Sequence, residues 1–179
     1  LEGLDDELRG AVESGLAMPP PRPLGDGLAQ LSAAVGAQQV HTVLLVGLDE
    51  GPEMLAVVDR LLEDALMADL SAVVVDAGSG QATAAMGLTD LAANHADYGD
   101  VVLRAGGSLA EVPWGRLTTL DRRSTRPLTM IEALADVYQL VIVDTGRIGV
   151  ASSLPLFVSA RTTVVLVASA GTGPAAVAA

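Results

Sequence analysis

Four uninterrupted aliphatic runs constrain this chain more than any other feature: Thr42-Val43-Leu44-Leu45-Val46, Ser71-Ala72-Val73-Val74-Val75, Leu140-Val141-Ile142-Val143 and Thr162-Thr163-Val164-Val165-Leu166-Val167. A strand with one wet face alternates apolar and polar residues, whereas a run that is apolar throughout belongs to a strand covered on both faces. Gly47, Asp76 and Asp144 directly follow the first three runs. Segments of helical spacing separate them: Leu24 to Gln38 with Leu28, Leu31 and Val35 on one face, Pro52 to Met67 with Pro52 suited to the first helical position, Ala82 to Ala93 in part, and Thr129 to Tyr138. Leu109 to Pro113 is a short strand candidate. The alternation predicts an α/β fold, a Rossmann-like three-layer sandwich with a mostly parallel sheet and helices on both faces.

Ahead of this pattern, Leu4, Leu8, Val12 and Leu16 mark Leu1 to Met18 as a short amphipathic helix, and Pro19-Pro20-Pro21-Arg22-Pro23 is an extended linker. We expect residues 1–23 to form an arm, open to a partner-binding or domain-swapping role, and residues 24–179 to form the α/β domain. The chain starts at Leu1 rather than Met, so an excised fragment is expected. No apolar run reaches the roughly 18 to 20 residues of a spanning helix.

Side-chain chemistry narrows the function. The chain has no Cys, which excludes disulfides and thiolate metal sites, and His41 and His95 are its only histidines. We expect no resident metal and no cofactor. All ten basic residues are Arg. The missing lysine removes Schiff-base chemistry and the lysine clamp on nucleotide phosphates. A net charge of −12 opposes nucleic acid as a partner.

In open α/β sheets ligands sit beyond the carboxyl ends of the strands. Here those ends are Gly47-Leu48-Asp49-Glu50-Gly51, Asp76-Ala77-Gly78 and Asp144-Thr145-Gly146-Arg147. Asp76 and Asp144 suit either a magnesium–nucleotide site or the capping of their own turns. The first loop has the length and position of a phosphate loop, but Glu53, Met54 and Leu55 stand where Gly, Lys and Ser or Thr would be needed. Like charges about 4 Å apart repel by roughly 1 kcal/mol in water and several-fold more in a partly dry site. Asp49, Glu50 and Glu53 therefore oppose a bound triphosphate, and either act as the loop's own anion at the helix N-terminus or are simply solvated. Trp114 reads as a loop anchor or a partner contact. Arg122, Arg123 and Arg126 form the one basic cluster, a solvated loop or a docking site for an acidic partner.

These segments together resemble the cytoplasmic domain of bacterial tyrosine kinases and of polysaccharide co-polymerases, within the ParA/MinD-like deviant P-loop class. Gly47 to Leu55 aligns with the family's phosphate loop without a gap, and Val73 to Ala77 is similar to its second Walker element, which ends in Asp-Ala-Asp. Gly87-Leu88-Thr89-Asp90-Leu91, Val112-Pro113-Trp114-Gly115 and Tyr138 to Thr145 resemble its Gly-Leu-Ser-Asp-Leu, Leu-Pro-Ala-Gly and Walker B segments. The resemblance implies a P-loop NTPase-like domain over residues 24–179 and a nucleotide site at Gly47, Gly51, Met54, Leu55, Asp76, Asp144 and Thr145. In that site the Walker A lysine has become Met54, its hydroxyl neighbour Leu55, and the second Asp Gly78. The family's ring-assembly motif falls on Asp26, Ala29 and Ser32, which do not match it.

What this implies is a catalytically inactive domain, cytoplasmic and part of an inner-membrane protein. It would bind protein partners of a polysaccharide export or polymerisation system, with a homo-oligomer possible. The alternatives are a residual Mg-ATP-binding kinase in which Arg147 replaces the lysine, and a MinD-like localisation scaffold.

Overall fold

The computed structural model describes residues 24–49 and 53–169. The expected arm, the proline linker, Glu50, Gly51 and Pro52 lie outside the described residues.

The order of elements is α1 (Leu24–Gly36), β1 (Thr42–Gly47), α2 (Glu53–Met67), β2 (Ala72–Asp76), α3 (Leu88–Ala92), α4 (Tyr98–Val101), β3 (Leu103–Gly106), β4 (Leu109–Val112), α5 (Arg126–Val137), β5 (Leu140–Arg147), a 3₁₀ turn (Leu154–Leu156) and β6 (Thr163–Val167). The six strands form one sheet in the order β3-β4-β2-β5-β1-β6. All pairs are parallel except β3 with β4, which are antiparallel. This is the α/β Rossmann-like fold that the aliphatic runs predict.

Because side chains alternate across a strand, each run supplies both faces of the sheet. Val43, Leu45, Ala72, Leu140 and Ile142 pack with Leu31 and Val35 of α1 and Val57, Val58, Leu61 and Ala65 of α2. Leu44, Val73, Val75, Val141 and Val143 pack with Leu88, Leu91, Met130, Ile131, Leu134 and Phe157 on the other side. With few aromatics, the core is filled by branched aliphatics, and Phe157 is its one fully buried ring.

The structure sharpens or corrects several local expectations. Within Ala82 to Ala93, expected to be helical in part, the helix covers Leu88–Ala92 and starts after Gly87, which is pinned where a Cβ would fall 2.1 Å from the Pro113 carbonyl oxygen. α5 begins at Arg126, three residues before the expected Thr129, with Pro127 in its first turn. β5 continues past Asp144 to Arg147. β3 and α4 were not expected at all.

Candidate functional site

The chain leaves β1 toward one edge of the sheet and β5 toward the other, so the carboxyl ends of β1, β2 and β5 meet at the switch point where such folds hold ligands. The register places Asp76 beside Asp144. Each caps its own turn. Asp76 Oδ1 accepts hydrogen bonds from the Gly78 and Ser79 amides at 3.2 and 2.9 Å, and Asp144 Oδ1 accepts one from the Gly146 amide at 2.9 Å. Burial raises the Asp144 carboxyl above the ordinary carboxylate range, and the neighbouring Asp76 charge adds to this against the pull of the Gly146 N–H.

Beyond these acids the loop after β2 touches the last residues of β5. A β-carbon on Gly78 would collide with the backbone of Gly146, whose own φ of +72° favours glycine. The position where the resemblance places a second Asp therefore has no room for a side chain. Thr145 is occupied as well: its buried hydroxyl donates to the Leu45 carbonyl oxygen at 2.7 Å, holding β5 to β1.

The first loop is bound inward. The Leu48 amide donates to the Val167 oxygen and the Ile148 amide to the Gly47 oxygen, both at 2.8 Å. The Asp49 carboxylate accepts from the Ser169 hydroxyl at 2.9 Å and from its amide at 3.3 Å. Asp49 thus ties the loop to the end of β6. Glu53 stays in the first turn of α2, where its Oε2 is buried and has no hydrogen-bond partner among the described residues. The Met54 methyl lies 3.5 Å from where a Cβ on Gly47 would stand, and its side chain packs on the α1/α2 face of the core. Leu55 and Arg147 are exposed.

Two further sets of side chains hold neighbouring loops. Asp90 is 1% exposed and accepts hydrogen bonds from the Gly87 amide, the Arg116 amide and Arg116 Nε at 2.9–3.0 Å. Burial works against its charge, but these three donors outweigh it and hold the carboxyl below its ordinary value. Trp114 is buried and donates from Nε1 to the Leu117 oxygen at 2.8 Å, so it anchors its loop. Arg122 donates to the Val150 and Ser152 oxygens at 2.8 and 2.7 Å. Arg126 bonds Asn94 and the Ala96 oxygen and lies over the Tyr98 ring. The Arg123 side chain is exposed.

Sequence reasoning found Asp76, Asp144 and Thr145 but missed the Asp49–Ser169 and Asp90–Arg116 links, which span 120 and 26 residues and leave no local signal. Among the described residues no group of three or more His, Asp or Glu side chains is placed to hold a metal ion. No described helix is long and apolar enough to cross a membrane. A cleft of about 490 Å³, lined in part by His41, Ile131, Glu132 and Arg161, lies at the other end of the sheet, by the first residues of β1 and β6.

No family model matches the chain, and no curated protein matches it. Solved structures do. The BceF tyrosine kinase domain is 18% identical with a TM-score of 0.57, covering 68% of this chain and 55% of its own. The kinase domain of the Escherichia coli tyrosine kinase ETK is 19% identical with a TM-score of 0.57, covering 66% and 51%. The chimerical protein CapA2B2 is 17% identical with a TM-score of 0.64, covering 88% and 77%. The chain thus spans about half the length of the first two. At this identity the likeness is one of fold: the chain has the mostly parallel α/β sheet of bacterial tyrosine kinase domains.

Proposed function

We propose that this chain is a catalytically inactive relative of the bacterial tyrosine kinase domain, a scaffold or regulator within exopolysaccharide biosynthesis or transport. One observation carries the reading: the groups at the carboxyl end of the sheet are committed to the fold. Met54 packs inward over Gly47, Gly78 abuts Gly146, and the Thr145 hydroxyl is bonded to Leu45. The chain has no lysine to meet a phosphate, and Asp76 and Asp144 set two carboxylates side by side where a triphosphate would need cations. These residues do not fit a magnesium nucleotide. Partners would be proteins of the export or polymerisation system, and the parent would be an inner-membrane protein with this domain in the cytoplasm. Isothermal titration with Mg-ATP is expected to show no heat of binding. Micromolar affinity would end the proposal.

A second reading keeps Mg-ATP, with Arg147 in place of the lysine. It is favoured by the adjacency of Asp76 and Asp144 in register and by the suitability of Arg as a phosphate ligand. It requires phosphorylation above background that Asp144→Asn abolishes.

A further inference from the structure

Two oppositely charged residues, Arg161 and Glu132, line one cleft of about 490 Å³ and do not pair with each other. The cleft lies at the opposite end of the sheet from Asp76 and Asp144, by the first residues of β1 and β6. Ion pairs among the described residues join Arg60 to Asp64, Arg116 to Asp90 and Arg126 to Asp97, and no described group bonds the Arg161 guanidinium or the Glu132 carboxylate. One wall is a face of α5, where Leu128, Ile131, Glu132 and Ala135 recur at the spacing of a helical stripe. Another is the segment before β6, which is tied to itself. The Ser159 amide donates to Thr162 Oγ1 at 3.0 Å, the Thr162 hydroxyl to the Ser159 oxygen at 3.0 Å, and the Arg161 amide to Ser159 Oγ at 3.2 Å. His41, also in the lining, is held through Nδ1, 3.3 Å from the Gln139 carbonyl oxygen. The Arg161 main chain is thus fixed while its guanidinium is uncommitted, and walls fixed beforehand spare a ligand the cost of ordering them.

The lining residues select the ligand's chemistry. A guanidinium offers a planar fork of donors that matches a carboxylate, and a carboxylate only accepts, most strongly from a cationic donor. A ligand with a single charge would bring it near its like, an anion near Glu132 or a cation near Arg161. Leu128, Ile131 and Ala135 supply apolar contact, and the volume falls within the roughly 300–1,000 Å³ of small-ligand sites. We infer that this cleft takes a zwitterionic small molecule of the short-peptide class, with an apolar body on α5, its carboxylate on Arg161 and its ammonium on Glu132. The inference is independent of the reading of the carboxyl end of the sheet and holds with or without a nucleotide there.

The test is a ¹⁵N-HSQC titration of the full chain with leucyl-leucine, carried to about 10 mM so that millimolar affinity registers. Its N-acetyl and C-terminal amide derivatives remove one charge each. The expected result is shifts at the amides of Val40, Ile131, Glu132, Arg161 and Thr163, with each blocked derivative binding about fivefold more weakly, the upper end for an exposed ion pair. Arg161→Gln should lose the preference for the free carboxylate and keep that for the free amine, and Glu132→Gln should do the reverse. Both side chains are exposed, so the rest of each variant's spectrum should match the parent's. No shift at the cleft would overturn the site. Equal binding of the blocked derivatives would leave an apolar groove without charge recognition and overturn the ligand class. Variants that keep both preferences would overturn the roles of Arg161 and Glu132.

Discussion

Asp76, the last residue of β2, faces Asp144 within β5, one strand spacing away, and each carboxylate accepts from the backbone amides of residues just after it. Burial and the Asp76 charge raise the Asp144 carboxyl. A group whose folded value is raised binds its proton more tightly in the folded chain, so it favours folding at low pH and opposes it above the raised value. Asp144→Asn keeps an oxygen for the Gly146 amide and removes the charge. We expect its melting temperature at pH 7 to exceed the parent's by roughly 2–4 °C, the scale of a 1 kcal/mol change in a domain this size. The difference should close as pH falls through the carboxylate range. Calorimetric melts from pH 3 to 8 check this, and a variant less stable at pH 7 would contradict it.

The backbone contact between Gly78 and Gly146 makes a second prediction. A β-carbon on Gly78 would fall 1.9 Å from the Gly146 nitrogen and 2.3 Å from its Cα, so a side chain there must drive two turns apart. Gly78→Ala is expected to lose about 1–3 kcal/mol of stability in urea titration, the usual range for overpacking. Gly80, with open space around it but φ of +63°, should lose about 1 kcal/mol as Gly80→Ala. Equal losses at the two positions would mean that contact is not what keeps Gly78 a glycine.

The Gly78–Gly146 contact also marks the limit of what the sequence discloses. β1, β2, β5 and β6 are legible because strands buried on both faces need aliphatics at nearly every position. β3 is not, because Leu103-Arg104-Ala105-Gly106 is an edge segment with little burial, made a strand only by pairing with β4 across the Gly106-Gly107 turn. α4 is equally hidden: four residues, started where the Asp97 amide donates to the Asp100 carboxylate. At the site, Asp76 and Asp144 are legible because they end aliphatic runs. The contact of Gly78 with Gly146 is not, since it depends on strand order, and order is set by packing across the whole sheet.

The Asp90 carboxyl is shifted in the opposite direction from that of Asp144. Three donors hold its carboxyl below the ordinary value despite burial. Its stabilising effect is therefore in place above the unfolded value, about 3.9, and is lost as pH falls through the lower folded value. Asp90→Ala strands the Gly87 and Arg116 amides in a site with almost no solvent, at an expected cost of about 2–4 kcal/mol. Asp90→Asn should keep part of that stability while flattening the acid limb of the stability–pH curve. An acid limb identical to the parent's would show that Asp90 is not its source.

Restoring the lost residue types is the most direct challenge to the proposed inactivity. The double variant Met54→Lys/Leu55→Thr returns the lysine and hydroxyl that the family resemblance places at the phosphate loop. A lysine at 54 must give up the Met54 packing over Gly47 and against the core, and would have to bring its charge out of that apolar contact to meet a phosphate. Asp49 stays committed to Ser169, Thr145 to Leu45, and Gly78 to its contact with Gly146. We expect no heat of Mg-ATP binding from the variant up to millimolar nucleotide, where about −4 kcal/mol of binding free energy would already register. Loss of the Met54 contacts should cost about 1 kcal/mol of stability. If the double variant binds Mg-ATP tightly, inactivity rests on two side chains alone, and the committed loops around them are no barrier to a nucleotide.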